Sequence, residues 1–388
     1  MKHYDIIILG AGASGLMCAL TACATGKSIL IVDKLTIAGK KLMSTGNGRC
    51  NLSNHEIYPS EKFYNQNITK YLKKFDNSSA MKFFMDLGLL IYADTESRVY
   101  PFSNSAKSVV DVLNNQLINH NNITLSLGNE VQNVEKIDKI FKIYSNKGEF
   151  SCEKLIVATG GKSAEEIFDN FNLNAKPFVP SLVALKTEST RSLDGVRMSD
   201  IKIEATCGDK KYSEMGEILF KDSGISGIVT FNASSLFARE NNFNGEIKID
   251  LMPTFKFEGV KSLLQDRCKI NVKIKNFFDG MFVPQMGYYI LNKVKIKNEE
   301  RNVSTLTQQE IKNLAFTIKN ITLKVKGHYD NNQIHSGGII LDDLTEELES
   351  KKIKNLFFCG EVCDVDGICG GYNLQWAWTS GHIVGESL

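Results

Sequence analysis

Hydrophobic positions along the chain fall into two textures, and the change between them predicts the architecture. Residues 4–9 form a short, mainly apolar run rich in β-branched side chains, the pattern of a strand buried on both faces of a parallel sheet. Residues 10–15 read as a turn, 16–25 as a helix of small residues closed by Gly26, and 28–32 as a second strand ended by Asp33. A glycine- and lysine-rich loop covers 39–54. Helical periodicity returns around 71–87 and 105–119, with an extended stretch at 96–101 between them. Residues 123–144 alternate in the manner of hairpin strands, and 155–158 make another buried strand that runs into Thr159-Gly160-Gly161. From about Pro180 the apolar runs become short and alternating (201–205, 218–220, 247–251), which predicts a β-domain. Pro253 opens a lysine-rich helical region reaching about Lys319, where Thr307 and Glu310 have capping-box spacing. Residues 321–325 return as a strand, 356–360 form a buried strand meeting glycine, and 374–387 close as a helix.

Composition narrows the class. A chain of 388 residues suits two or three domains, and 43% hydrophobic with 23% charged residues is ordinary globular usage. The formal charge of +2 asks for no polyanionic partner on average. The nine cysteines are scattered and form no C-x-x-C pair, which suits reduced thiols in a bacterial cytoplasm and argues against a dithiol redox centre or a metal site. Lys2 and His3 before an apolar stretch ending Leu20-Thr21-Ala22-Cys23 imitate a lipoprotein signal. Asp5 and the glycines at 10, 12 and 15 break that pattern, and strand–turn–helix explains the same residues. No apolar run approaches the ~20 residues of a membrane span.

Candidate chemistry begins at Gly10-x-Gly12-x-x-Gly15. Gly10 suits the tight turn, Gly12 a close backbone approach to a pyrophosphate, and Gly15 close helix–strand packing. The helix start at Ala13 and Ser14 presents N–H groups to phosphate, and Asp33 is placed for a ribose diol. This spacing does not separate NAD from FAD. The single fingerprint, the Ala158-Thr159-Gly160-Gly161 strand end and the Gly360-Glu361 pair resemble flavoprotein motifs and favour FAD, with Glu361 on the ribityl chain.

Longer motifs carry a fuller resemblance. They are Gly39-Lys40-Lys41-Leu42-Met43-Ser44-Thr45-Gly46-Asn47-Gly48-Arg49-Cys50-Asn51, Arg98-Val99-Tyr100-Pro101, Pro180-Ser181-Leu182-Val183, Gly224-Ile225-Ser226-Gly227, Gly337-Gly338-Ile339, Gly360-Glu361-Val362-Cys363-Asp364-Val365-Asp366-Gly367 and Gly370-Gly371-Tyr372-Asn373-Leu374-Gln375. Together they resemble the aminoacetone-oxidase family of FAD-binding flavoproteins, which includes bile-acid-reductase-like members and belongs to the two-dinucleotide-binding-domain superfamily. The resemblance implies an α/β fold: a Rossmann-like FAD-binding domain (1–180 and 335–388) with an inserted β-barrel-like domain (181–252 and 320–334) that itself carries a helical subdomain (253–319). It places Lys34, Lys40, Lys41, Gly46, Asn47, Gly48, Arg49, Cys50, Asn51, Val131, Gly338, Asp364, Gly370, Gly371, Tyr372, Asn373 and Gln375 beside the cofactor. Where the family usually has Val-Thr, this chain has Ile334-His335, and a thiol stands at Cys369. His335 is either a proton donor or a structural histidine, and Cys50 either a nucleophile or, more in keeping with its residue type, a buried packing thiol.

The implied reaction is a hydride movement at one flavin, with NAD(P)H as a transient reductant. Three substrate classes stay open: a small molecule with a conjugated double bond, a uridine in ribosomal RNA, and an amine. A flavin-binding RNA- or partner-binding protein without turnover also stays open. Residues 254–300 hold nine Lys/Arg against five Asp/Glu, with Phe277, Phe278, Phe282, Tyr288 and Tyr289 among them. This is either a phosphate- and base-binding surface or a solvated helical domain with an aromatic core. Oligomeric state is not readable from the sequence.

Overall fold

The structure, a computed structural model, describes residues 1–188, 190–330 and 333–388. Two compact units result, Met1–Val179 with Ile334–Leu388, and Pro180–Gln333.

The first unit is built on a sheet whose central strand, β1 (Lys2–Leu9), pairs parallel with β2 (Ile29–Asp33) on one side and β9 (Gly148–Val157) on the other. Ile6, Ile7 and Ile8 are completely buried, as a strand covered on both faces requires. Beyond β2 lies β6 (Ile123–Leu127), also parallel. The free edge of β9 is shared. Its first half pairs antiparallel with β8 (Ile140–Ser145), itself in a hairpin with β7 (Val131–Ile137). Its second half pairs parallel with β18 (Leu356–Phe358). Residues 123–144 are therefore not one run of hairpin strands. β6 belongs to the parallel sheet, and its edge position, with half-buried residues, gives it the alternation of an antiparallel strand.

Helices α1 (Ala13–Ala22) and α10 (Tyr372–Glu386) pack against each other through glycine. A β-carbon at Gly381 would lie 2.4 Å from the Ser14 carbonyl oxygen, and one at Gly385 2.8 Å from that of Cys18. The helical stretch at 71–87 is two helices, α2 (Thr69–Leu72) and α3 (Asn77–Asp86). Asp76 divides them, its carboxylate accepting a hydrogen bond from Ser79 N at 2.8 Å as the cap of α3. A small sheet in the order β3 (Ser53–Asn54), β5 (Arg98–Pro101), β4 (Ile91–Ala93), the helices α4 (Ala106–Ile118) and α5 (Glu165–Asn170), and the paired strands β10 (Ala175–Ser181) and β17 (Ile334–Ile339) complete the elements of this unit.

The second unit is a closed barrel in the order β11 (Leu185–Thr187), β14 (Gly224–Ser226), β13 (Lys210–Lys221), β12 (Arg197–Cys207), β15 (Gly245–Asp250), β16 (Ile321–His328). Inward-facing Ile203, Phe220, Ile247 and Leu323 fill its core. Helix α6 (Ile228–Arg239) packs on it through Val229, Ala233 and Phe237. The helical part contributes α7 (Phe257–Arg267), α8 (Pro284–Val294) and α9 (Gln308–Lys319). Thr307 caps α9 reciprocally, its hydroxyl accepting from Glu310 N and the Glu310 carboxylate accepting from Thr307 N. Among the described residues, no helix is long and apolar enough to cross a membrane.

Candidate functional site

Parallel strands end together at the carboxyl edge of the first sheet, where open α/β folds take their ligands. Gly10 leaves β1 at φ +107°, and a β-carbon there would lie 2.3 Å from the Ala158 carbonyl oxygen at the end of β9. Gly15 sits closer still: its β-carbon would lie 2.0 Å from the Gly10 carbonyl oxygen. Gly12 is different, because its β-carbon would meet nothing within 4 Å. It is the N-cap of α1 and makes no side-chain cap, so no capping side chain satisfies the first N–H groups of the helix. Asp33 braces the turn, Oδ2 accepting from Ala11 N and Oδ1 from Leu35 N, each at 2.7 Å.

Other segments converge on this turn. Gly39 N donates to Ala11 O at 2.7 Å, which brings the lysine-rich loop alongside. The loop then curls through left-handed residues at Gly46, Asn47, Gly48 and Cys50, leaving Lys40, Lys41 and Arg49 exposed. Lys41 Nζ and Glu361 Oε2 both lie against Gly160, at 3.3 and 3.6 Å from where its β-carbon would be. Glu361 Oε1 accepts from His335 N at 2.9 Å and meets His335 Nδ1 at 3.0 Å. The imidazole packs on Gly161, whose β-carbon would fall 2.6 Å from Nδ1. Gly360 lies over Ser14, with its β-carbon position 2.4 Å from Oγ. Gly338 fits β17 against the Val362 carbonyl.

The donor set suits a dinucleotide: uncapped N–H groups, a braced carboxylate and exposed cations. One observation is more pointed. Asn51 Oδ1 is buried without a hydrogen-bond partner and lies 2.8 Å from the β-carbon position of Gly371. A buried amide oxygen in that state wants a donor, and a flavin ring edge carries one.

Several residues expected at the cofactor spend their side chains elsewhere. Gln375 is fully buried, its Oε1 accepting from Ser53 Oγ at 2.6 Å and its Nε2 donating to Thr379 Oγ1 at 3.0 Å. Asn373 closes on Gly367 N and O, both at 2.8 Å. Tyr372 stacks on Phe63 at 4.6 Å within the core. The Asp364 carboxylate is paired with Lys176 at 2.7 Å. These side chains shape the tail around Gly370 and Gly371, which offers backbone rather than side-chain groups. Lys34 is exposed and reaches Ser163, and Val131 follows a segment whose Asn129 N bonds Asp33 O at 2.9 Å. Sequence reading passed over Ser53 and Asn54, which anchor Gln375 and, through Asn54 Nδ2, the Gly370 carbonyl. No local pattern signals such cross-chain pairings.

Cys50 corrects one expectation. Its thiol has no exposed surface, and burial pushes it up to about 12, so no thiolate forms at neutral pH. Cys50→Ala is expected to leave flavin turnover within about twofold in a steady-state assay, at a stability cost of about 1 kcal/mol. In the second unit, Phe277, Phe278 and Tyr289 are buried, which makes them core rather than a stacking surface. Many of the surrounding cations are paired, Lys273 and Lys275 with Glu300 and Lys269 with Asp266. Tyr288 alone of the five aromatics is strongly exposed.

A family model described as the HI0933-like protein Rossmann domain matches residues 4–387. The chain belongs to the HI0933-like family. This HI0933-like protein is an FAD-dependent oxidoreductase by kinship. It is 30% identical over 410 residues to the 3-dehydro-bile acid delta(4,6)-reductase of Clostridium scindens, covering 98% of each chain. It is 28% identical over 422 residues to the ribosomal RNA dihydrouridine synthase of Escherichia coli K12, covering 100% of this chain and 98% of that one. Among solved structures, the 3-ketosteroid-delta4-(5alpha)-dehydrogenase of Rhodococcus jostii RHA1 shares the fold at a TM-score of 0.50 and 10% identity, covering 100% of this chain and 96% of that one.

Proposed function

We propose that this protein adds hydrogen across a carbon–carbon double bond conjugated to a carbonyl, using bound FAD and NAD(P)H as a visiting reductant. The observation that carries the reading is the open, uncapped start of α1, bordered by Asp33 and by the loop that brings Lys41 to Glu361. When bound, FAD supplies a two-electron carrier that exchanges hydride with carbon at N5. The α1 N-terminus and the Gly10–Gly15 turn would hold its pyrophosphate, and Asp33 its adenosine ribose. Glu361, fixed by His335, would take the ribityl hydroxyls, while Lys41 and Arg49 supply positive charge beside the ring system. Because Nδ1 of His335 meets Glu361, we assign this residue to orienting that carboxylate rather than to proton delivery.

Two relatives support this substrate class. A bile acid oxidised at C3 with Δ4,6 unsaturation is a conjugated dienone, and a uracil ring on its way to dihydrouracil presents a double bond conjugated to a carbonyl. The electronics of the two are alike. Buried aromatics and paired cations in the helical part favour the small molecule. The cysteines, none of them in a disulfide, support a cytoplasmic setting.

The test is anaerobic. NAD(P)H should bleach the bound flavin, and a steroidal dienone should restore its colour at a catalytic rate. Recovery with uridine-containing ribosomal RNA alone would replace the small molecule by RNA. Bleaching by an amine but not by NAD(P)H would overturn the reading.

A further inference from the structure

Tyr100 lies in β5, in the middle of the small sheet, and no cofactor role has been attached to it above. Its ring is almost completely buried and faces the lysine-rich loop. The guanidinium carbon of Arg49 stands 4.6 Å above the ring centroid. Beside it, the β-carbon position of Gly46 is 3.5 Å from Tyr100 Cε1. Tyr92, the direct cross-strand neighbour of Tyr100, packs its own ring 6.1 Å away and fixes the ring plane. Backbone bonds hold the same place: Leu52 N donates to Val99 O at 2.8 Å, and Arg49 N to Gly46 O at 3.2 Å.

Arg49 would otherwise wander. Its side chain is exposed, and among the described residues its one side-chain hydrogen bond, from Nε to Gly46 O, is long at 3.4 Å. A flexible arginine on a loop contributes little directed charge. A guanidinium laid on the negative face of an aromatic ring is held in one orientation. The left-handed turn through Gly46, Asn47 and Gly48 brings the arginine back over that face.

We propose that Tyr100 is a positioning residue: its ring seats the Arg49 guanidinium so that the cation is fixed against the flavin end of the cofactor. Tyr100 touches no substrate and acts only through Arg49. The inference rests on the reading that FAD binds along the 39–51 loop.

The experiment is a double-mutant cycle read by FAD affinity of the apoprotein and by the flavin midpoint potential. Tyr100→Phe keeps the ring face and should stay within about twofold of the parent affinity. Tyr100→Leu keeps apolar bulk but removes the face, and should weaken FAD binding about fivefold, the scale of one such contact. It should also lower the midpoint potential, because a loosened cation stabilises the anionic reduced flavin less. In an Arg49→Gln background the same Tyr100→Leu change should have no further effect on either quantity. Equal losses in both backgrounds would overturn the proposal and leave Tyr100 a packing residue. Should Tyr100→Leu not fold, a pentafluorinated phenylalanine at the site reverses the ring's charge distribution with little change of shape. It should then reproduce the loss, and an unchanged affinity and potential would overturn the proposal. A parent protein that binds no FAD at all would instead sink the proposed function itself.

Discussion

Gly15→Ala is expected to yield a protein that purifies colourless and binds FAD at least about a hundredfold more weakly than the parent. The added carbon would start 2.0 Å from the Gly10 carbonyl oxygen and 3.3 Å from the Ala158 side chain. Neither neighbour can retreat. Gly10 is tied to Val32 by a 2.8 Å backbone bond and already presses on β9. α1 cannot back away freely either, because Gly381 of α10 is packed on the Ser14 carbonyl. Overpacking a fitted site costs ~1–3 kcal/mol, and a 2.0 Å approach to backbone puts this case at the upper end. Gly12→Ala is the control. Its β-carbon enters open space, so thermal unfolding of the apoprotein should shift by less than about 0.5 kcal/mol. Any fall in FAD affinity there reports the close approach of the cofactor itself. If Gly15→Ala bound FAD normally, the turn would not be the nucleotide site.

Asp33→Ala carries the second large effect. Both carboxylate oxygens are engaged by backbone N–H groups, one inside the turn at Ala11 and one past the strand at Leu35. Hydrogen bonds to a charged acceptor are worth ~1.5–3 kcal/mol each. Their joint loss should lower stability by about 3 kcal/mol, measured by urea unfolding. FAD affinity should fall as well, since in the proposed reading the same side chain would hold the adenosine ribose. Asp33→Asn keeps one acceptor and should lose roughly half as much. A loss of affinity with no loss of stability would show that the bracing role is wrong.

The parts of the fold that local chemistry controls were readable in advance. A β-branched run, a glycine-spaced turn and an acid at the next strand end leave little choice at residues 4–33, and the capping box at Thr307 is likewise a matter of four residues. Helix α6 was not foreseen. It is buried on most sides, with Val229, Ala233 and Phe237 joined by buried Thr230, Asn232 and Ser235, so it shows no polar face with a period of 3.6. The strand β6 was seen but given the wrong partner, because alternation records which face is wet and not which strand lies alongside. The site divides in the same way. The glycines of the first turn were marked by their spacing and the loop cations by the family resemblance, whereas the commitment of Gln375 to Ser53, or of Asp364 to Lys176, depends on residues far away in sequence.

That β18 completes the edge of β9 across about two hundred intervening residues has a consequence for how the protein is made. A nascent chain exposes its nucleotide turn early, long before the strand and helix that cover it have been synthesised. Until α10 arrives, the apolar flank of α1 and half the edge of β9 stand open, an invitation to chaperones and to misassembly. The barrel, emerging in between, waits in its turn, because β11 and β15 both pair with the late strand β16. Cofactor loading is therefore a late event in the life of each molecule, and a shortage of flavin should be felt most by chains just leaving the ribosome.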